Sequence, residues 1–407
     1  MIIGMNAAAA VKRPRTGVEE YAYQLIKHLT MLPEAAEHRF LLYVPGATPI
    51  HGLHTDDADG ENPSRPPFVK GRSSPLWKRG VRGDFFDFPL PDNFEIKELK
   101  WSFPMWTQIR LAVEMLKNKP DALFIPAHIL PQAHPKNSVV TIHGLEYEYF
   151  PVHYPFWFRQ YLRWSTKYAV RHAAKTIAVS ESTKNDLVKF YGAKESKITV
   201  VHHGVEIQNS KFKNQNDNEK FKIKNPYLLY VGRIELKKNI LGILDAYKIL
   251  KEKYQIPHGL ILAGAPGYGY DKIKSALTEN CSPLQRRTVL RSVHELGYVS
   301  EAEKWELLRN ANVFLFPTFY EGFGIPILEA QAAGAPVVAS NNSSVPEVAG
   351  EAAFLVNPKN PEQIAQALYK IIDDKALCDK LMQSGYENVK RFSWEKCARE
   401  TLKVLCE

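Results

Sequence analysis

Short apolar, β-branched runs recur along the first half of the chain between longer segments with helical spacing: Phe40 to Val44, Ala122 to Ile125, Ser138 to Ile142, Thr176 to Val179 and Ile198 to Val201. The opening Met1-Ile2-Ile3-Gly4-Met5-Asn6 reads as one more buried strand. It is too short, and has no preceding basic segment, to serve as a secretory signal. Apolar runs alternating with helical patterns signal βαβ units and a parallel sheet covered on both faces. The first half is therefore expected to form one doubly wound domain.

From about Pro45 to Phe103 the rhythm breaks into a stretch rich in Pro, Gly, Asp and Arg, with Trp77, Phe85, Phe86, Phe88 and Trp101 scattered through it. A structureless loop this long is uncommon in a compact domain, so short strands, a mobile flap, or both are expected there. The charged, Asn-rich segment Gln208 to Asn225 has the composition of an interdomain linker, across which few buried contacts need run. Beyond it the alternation restarts at Tyr227 to Val231, Leu260 to Ala263, Val313 to Pro317, Pro336 to Ala339 and Ala353 to Val356. The expected division is residues 1–205, a linker at 206–224, a second domain of the same class at 225–390, and a C-terminal helix at 391–407 packing across the seam. The predicted fold class is α/β, with two Rossmann-like, doubly wound domains facing across a cleft. In such domains ligands bind outside the carboxyl ends of the strands, on the loops that follow them.

Composition narrows the functional classes. A chain of 407 residues can bury a core in each of two domains, and 45% hydrophobic with 24% charged residues is the balance of a folded globular protein. No run approaches the roughly 18 apolar residues that a membrane-spanning helix needs. The four cysteines, Cys281, Cys378, Cys397 and Cys406, lie in the last third without paired metal-ligand spacing, which implies neither a disulfide framework nor a zinc site and fits a reducing cytoplasm. The formal charge of +9 favours anionic partners without choosing among nucleotide sugars, nucleic acid and acidic lipid.

The densest chemical signal is Pro317-Thr318-Phe319-Tyr320-Glu321-Gly322-Phe323-Gly324-Ile325-Pro326-Ile327-Leu328-Glu329-Ala330, directly after a predicted strand. Pro326 suits the first helical position, so a glycine-rich loop feeds a helix whose free N–H groups and dipole can hold a phosphate. Glu321 lies before that helix and Glu329 about one turn inside it. Carboxylates accept hydrogen bonds from hydroxyls, as sugar and ribose recognition requires; alternatively Glu329 only complements the helix dipole and Glu321 is a solvated loop residue. A second element, Val231-Gly232-Arg233-Ile234-Glu235-Leu236-Lys237-Lys238-Asn239-Ile240, follows the first strand of the same domain. Arg233 and Lys238 are placed to project toward a diphosphate, where fixed cations stabilise the charge that develops as a glycosidic bond breaks.

The pairing of G-R-x-x-x-x-K-N with E-G-F-G-I-P-x-L-E-A, in that order and in the second of two doubly wound domains, resembles the GT-B glycosyltransferases of family 4, the group-1 type. Val179-Ser180-Glu181-Ser182, Leu296-Gly297-Tyr298-Val299 and Val345-Pro346-Glu347 are similar to that family too, so the resemblance covers most of the chain. It implies that Arg233 and Lys238 bind the diphosphate, that Glu321 contacts the donor sugar and that Glu329 holds the ribose hydroxyls. It also implies that the backbone amides of Phe323, Gly324 and Ile325 approach sugar and phosphate, and that Val299 lies in the turn that touches the base. In the first domain it matches Thr141-Ile142-His143-Gly144 to the strand end whose histidine contacts the sugar. Gly17 matches the second glycine of the family's N-terminal G-G loop, although Thr16 stands where the first would be. His202 and His203 are expected to be structural.

The resemblance further implies retention of anomeric configuration and no bound metal or other cofactor. GDP-mannose is the expected donor, because the K-N variant and the loop resemble bacterial mannosyltransferases of polysaccharide assembly, with UDP-sugars as the alternative. The acceptor is expected to be a glycan or a lipid-linked molecule; no nucleic-acid partner is expected. A nucleotide-sugar hydrolase or epimerase on the same fold and a catalytically silent scaffold are the competing readings.

Other patterns fail on context. Asp57-Ala58-Asp59 sits in the irregular acidic stretch and not after a core strand, and the glycines from Gly264 to Gly269 lack dinucleotide-site spacing. Lys70, Arg72, Lys78, Arg79 and Arg82 around Trp77, and the aromatic-basic helix from Tyr154 through Arg171, have the composition to touch anionic lipid. For the helix the favoured reading is a partly buried element with a solvated basic face, and peripheral contact with an anionic membrane stays open.

Overall fold

The computed structural model describes residues 1–13, 15–46, 85–101, 103–206, 225–279 and 292–407. The expected linker at 206–224, apart from its first residue, therefore lies outside the described residues. So do Asp57, Asp59, the basic cluster around Trp77 and Cys281.

The chain forms two parallel sheets of Rossmann-like type. The first contains β1 (Ile2–Asn6), β2 (Arg39–Pro45), β3 (Phe94–Leu99), β4 (Ala122–Ile125), β5 (Asn137–Ile142), β6 (Lys175–Ala178) and β7 (Ile198–Val200), in the order β3-β2-β1-β4-β5-β6-β7. The second contains β8 (Tyr227–Val231), β9 (Gly259–Ala263), β10 (Val293–Gly297), β11 (Val313–Phe316), β12 (Val337–Ser340) and β13 (Phe354–Val356), in the order β10-β9-β8-β11-β12-β13. Counted within each sheet, the strands run 3-2-1-4-5-6-7 in the first and 3-2-1-4-5-6 in the second, the order of a doubly wound fold. The central strands β8, β11 and β12 are buried at every position, because helices cover both faces of a parallel sheet. By backbone contacts the chain divides into two compact units: residues 1–141 with 172–175 and 402–407, and residues 142–171 with 176–401.

Two strands escape the apolar-run criterion. β3 falls in the irregular stretch and pairs with β2 in parallel register, where Phe94 lies opposite Phe40 and the rings stack 4.3 Å apart. β10 is an edge strand reading Val-His-Glu-Leu-Gly with His294 and Glu295 exposed, so it carries no continuous apolar signal. The first helix forms over Gly17–Leu29, and the expected C-terminal helix over Trp394–Cys406. Among the described residues no helix is long and apolar enough to cross a membrane.

Candidate active site

The second sheet places the candidate residues. β8 pairs with β9 on one side and β11 on the other, so successive connections leave β8 in opposite directions and open a crevice at its carboxyl end. The loops after β8 and β11 border that crevice. Arg233 follows β8, its carbonyl accepting a 2.9 Å hydrogen bond from the buried Tyr230 hydroxyl, while its side chain is exposed and forms no ion pair among the described residues. The next turn, Leu236–Lys238, ends at Asn239 in the left-handed region (φ 60°). Asn239 suits that conformation because its amide reaches two carbonyls, Pro317 at 3.0 Å and Pro358 at 2.6 Å. The Phe319 amide donates to the Lys237 carbonyl at 3.0 Å. These bonds fasten the cationic loop to the glycine-rich loop, and Lys238 Nζ pairs with Glu321 Oε1.

The glycine-rich loop is held from below by two serines. Glu321 N–H donates to Ser343 Oγ at 3.0 Å, and Ser344 Oγ donates to the carbonyls of Glu321 (2.9 Å) and Phe323 (2.7 Å). Gly324 (φ 112°) turns the chain into the helix Ile325–Ala332, whose start is capped by no side chain. Pro326 is its second residue, one later than the sequence suggests. This helix start offers amides and the positive end of the dipole to an anion. Phe323 is buried in an aromatic cluster with His203, His202 and Phe392, so its side chain anchors the loop.

His143 is brought to the same loop. A Cβ at Gly322 would lie 1.7 Å from the His143 carbonyl oxygen, so the two backbones meet at a contact only glycine permits. The Gly322 carbonyl accepts from Ser180 Oγ (2.7 Å) and Thr183 Oγ1 (3.2 Å). Beside it the Tyr320 hydroxyl accepts from Leu145 N–H at 3.0 Å and donates to Asp186 at 2.8 Å. Lys237 ties the cationic loop to the segment after β5, with Nζ 3.0 Å from Glu146 and 3.5 Å from Glu235 of its own loop. Burial works against its charge, but these two carboxylates outweigh it and leave the lysine pKa raised. The neighbours Lys237 and Lys238 thus have different tasks: the first ties loops together, and the second faces Glu321.

His202 and His203 sit in the aromatic cluster. His203 lies 5.3 Å from the His143 ring and 5.9 Å from Trp394; burial, and then the charges of His143 and His202, push its pKa far down and keep it neutral. His202 Nε2 donates to Glu347 at 2.7 Å, and Glu347 also accepts from the Glu181 amide at 3.0 Å.

Glu329 has a partner that sequence reasoning missed. Lys304 Nζ lies 2.7 Å from Glu329 Oε1 and 2.8 Å from Glu301 Oε2. Lys304 belongs to the helix Glu301–Asn310, capped by Ser300 directly after Val299, so the expected base-contacting turn and the expected ribose-binding carboxylate are joined through one short helix. Val299 itself packs half-buried against the core of the second sheet. Nothing in Glu-Ala-Glu-Lys-Trp signals this, because the partner lies 25 residues away. Lys237, Glu146, Tyr320, Asp186, Ser343 and Ser344 were likewise invisible as partners. Gly17 belongs to the other compact unit and opens its helix; a Cβ there would meet no atom within 4 Å.

A parallel, doubly wound pair of sheets, with cations and an uncapped helix start at the switch point of the second, defines the class: a GT-B glycosyltransferase. Two family models match successive parts of the chain, Glycosyltransferase Family 4 over residues 15–209 and Glycosyl transferases group 1 over residues 211–388. The chain belongs to this family of group-1 glycosyltransferases. It is 26% identical over 400 residues to the O-antigen chain mannosyltransferase B of Escherichia coli, covering 97% of each chain. It is also 26% identical to the O-antigen chain mannosyltransferase RfbU of Salmonella typhimurium, over 68% of this chain and 71% of the relative. Among solved structures, sucrose-phosphate synthase from Thermosynechococcus elongatus superposes with a TM-score of 0.68 at 18% identity, covering 99% of this chain and 98% of that one. HepE from Anabaena in complex with UDP-glucose gives 0.66 at 15% identity, covering 100% and 99%. At these identities the structural likeness speaks for the fold.

Proposed function

We propose that the enzyme transfers a hexose, mannose in the favoured case, from a nucleotide-diphosphate donor to a glycan or lipid-linked acceptor with retention of configuration. The observation that carries this reading is the Lys238–Glu321 pair, which puts a cation and a sugar-binding carboxylate three residues before the helix start at Gly324. Arg233 and Lys238 would neutralise the diphosphate as the bond from the anomeric carbon to its oxygen breaks. Glu321 and His143 would orient the sugar, and Glu329 the ribose. The acceptor hydroxyl would form the new bond on the face the diphosphate leaves, its proton passing to a leaving phosphate oxygen. Two cations supply the positive charge in this reading, so it calls on no metal. The mannosyltransferase relatives support mannose; the reading also places the enzyme in a reducing cytoplasm, in keeping with free thiols at Cys378, Cys397 and Cys406.

The test is nucleotide release from GDP-mannose and a panel of UDP-sugars, with and without lipid-linked and soluble acceptors, followed by NMR of the product anomer. Acceptor-dependent release of GDP with the donor's configuration retained is the expected result. Equal release without acceptor would establish a hydrolase, and donor binding without turnover across the panel a silent scaffold.

A further inference from the structure

Each of the two loops at the donor site divides its contacts between neighbouring residues. In the loop after β8, Lys238 pairs with Glu321, while Lys237 beside it reaches Glu146 at 3.0 Å. In the glycine-rich loop, Glu321 completes that pair, while Tyr320 beside it accepts from the Leu145 amide at 3.0 Å. Leu145 and Glu146 are consecutive and lie two and three residues after His143. The contacts therefore close a ring: from Leu145 to Tyr320, along the chain to Glu321, across to Lys238, along to Lys237, and back to Glu146.

Both outer links are held from behind. The Tyr320 hydroxyl donates to Asp186 Oδ2 at 2.8 Å, and the other oxygen of that carboxylate accepts from the Tyr149 hydroxyl at 2.5 Å. With its hydrogen committed to Asp186, the Tyr320 oxygen is left to accept, which is what the Leu145 amide requires. Tyr149 also stacks on the Tyr320 ring, with centroids 4.7 Å apart. On the second link, Glu146 Oε1 accepts from the Tyr154 hydroxyl at 3.1 Å as well as from Lys237. Tyr320 and Asp186 are each 5% exposed, so water does not stand in for a broken bond there, and a lost partner leaves a polar group stranded. A closed ring of such links resists the displacement of any one member.

We propose that Lys237 and Tyr320 are positioning residues for the transfer reaction, fixing the segment that carries His143 against the Lys238–Glu321 pair. The proposal rests on the donor-site reading above, in which His143 and Glu321 orient the sugar. That reading draws the grip on the diphosphate from Arg233, Lys238 and the helix start, so neither Lys237 nor Tyr320 needs to touch the nucleotide. Their loss acts on the alignment of the groups around the sugar, and therefore on kcat, while nucleotide affinity stays in place.

The test is steady-state transfer by the full chain, with GDP-mannose or whichever UDP-sugar gives acceptor-dependent release as donor, beside calorimetric binding of the matching nucleoside diphosphate and urea unfolding. Tyr320→Phe, Lys237→Met and Glu146→Gln are each expected to lower kcat about 10- to 100-fold, the scale of a misplacement near 1 Å, with nucleotide affinity within about twofold of the parent. Lys237→Arg is expected to recover most of the loss, since it keeps the cation that Glu146 binds. K237M/E146Q should lose no more than Lys237→Met alone, because both cut one link, whereas K237M/Y320F should lose more than either single variant. A lowered urea midpoint without this pattern marks a structural role only and overturns the proposal, as does a raised donor KM at unchanged kcat. His143→Ala separates the two readings. If it is impaired while Tyr320→Phe and Glu146→Gln keep the parent kcat, the positioning role alone is rejected. Parent kcat in His143→Ala, or no acceptor-dependent release from any donor, rejects the donor-site reading and the proposal with it.

Discussion

Lys304 Nζ lies 2.7 Å from Glu329 Oε1, joining two helices at side chains that are each less than one-fifth exposed. Burial alone would lower the lysine pKa, but Glu329 and Glu301 outweigh it and leave it raised, so the lysine stays charged across the physiological range. Removing the lysine takes one partner from a largely buried carboxylate, and a lost hydrogen bond to a charged group costs about 1.5–3 kcal/mol. Lys304→Ala is expected to lower the unfolding midpoint accordingly and to raise the donor KM more than it lowers kcat, because a ribose contact acts equally in ground and transition states. Equal KM values for parent and variant would detach Lys304 from donor binding.

Lys238→Ala is expected to act in the opposite proportion. A cation aimed at a departing diphosphate works mainly in the transition state, and losing one such donor costs roughly 2.7–4 kcal/mol, or about 100- to 1,000-fold in kcat. Calorimetry should show a far smaller loss of stability. Near-parent turnover at saturating donor would remove Lys238 from the proposed role.

Gly322→Ala tests the meeting of the two loops. The added methyl would fall 1.7 Å from the His143 carbonyl, backbone against backbone, so neither side can yield by a side-chain rotation. A destabilisation of about 1–3 kcal/mol is expected, read as a shift in the urea midpoint, together with a fall in kcat as His143 and Glu321 are moved apart. A variant with parent stability and parent kcat would show that the contact is slack.

The buried His203 sets an acid limb of stability. Its folded pKa lies well below the ordinary 6.5 because burial excludes the charged form. Below about pH 6.5 the unfolded chain takes up a proton that the native state refuses, so stability falls as pH drops through that value. His203→Phe, which keeps an aromatic ring among Phe323 and Trp394, is expected to flatten the limb between about pH 6.5 and 5. Glu347, whose pKa is lowered by His202 and the Glu181 amide despite burial, loses its contribution only at lower pH, below the ordinary carboxylate value of 4.5. An unchanged slope above pH 5 in His203→Phe would exclude His203 as its source.

Local sequence was enough to fix the doubly wound class, because strands covered on both faces must be apolar throughout, and Tyr227 to Val231 and Val313 to Phe316 have that pattern. It also marked Arg233, Lys238, Glu321 and Gly324 as candidates, since their positions after strands follow from chain order alone. Tertiary structure decided what pairs with what. Lys237 and Lys238 are neighbours with equal charge, yet one bridges Glu146 and the other faces Glu321; the helix carrying Lys304 gives no sign of Glu329. An ion pair depends on the distance between elements remote in sequence, which strand order sets: β11 lies beside β8 although more than 80 residues separate them.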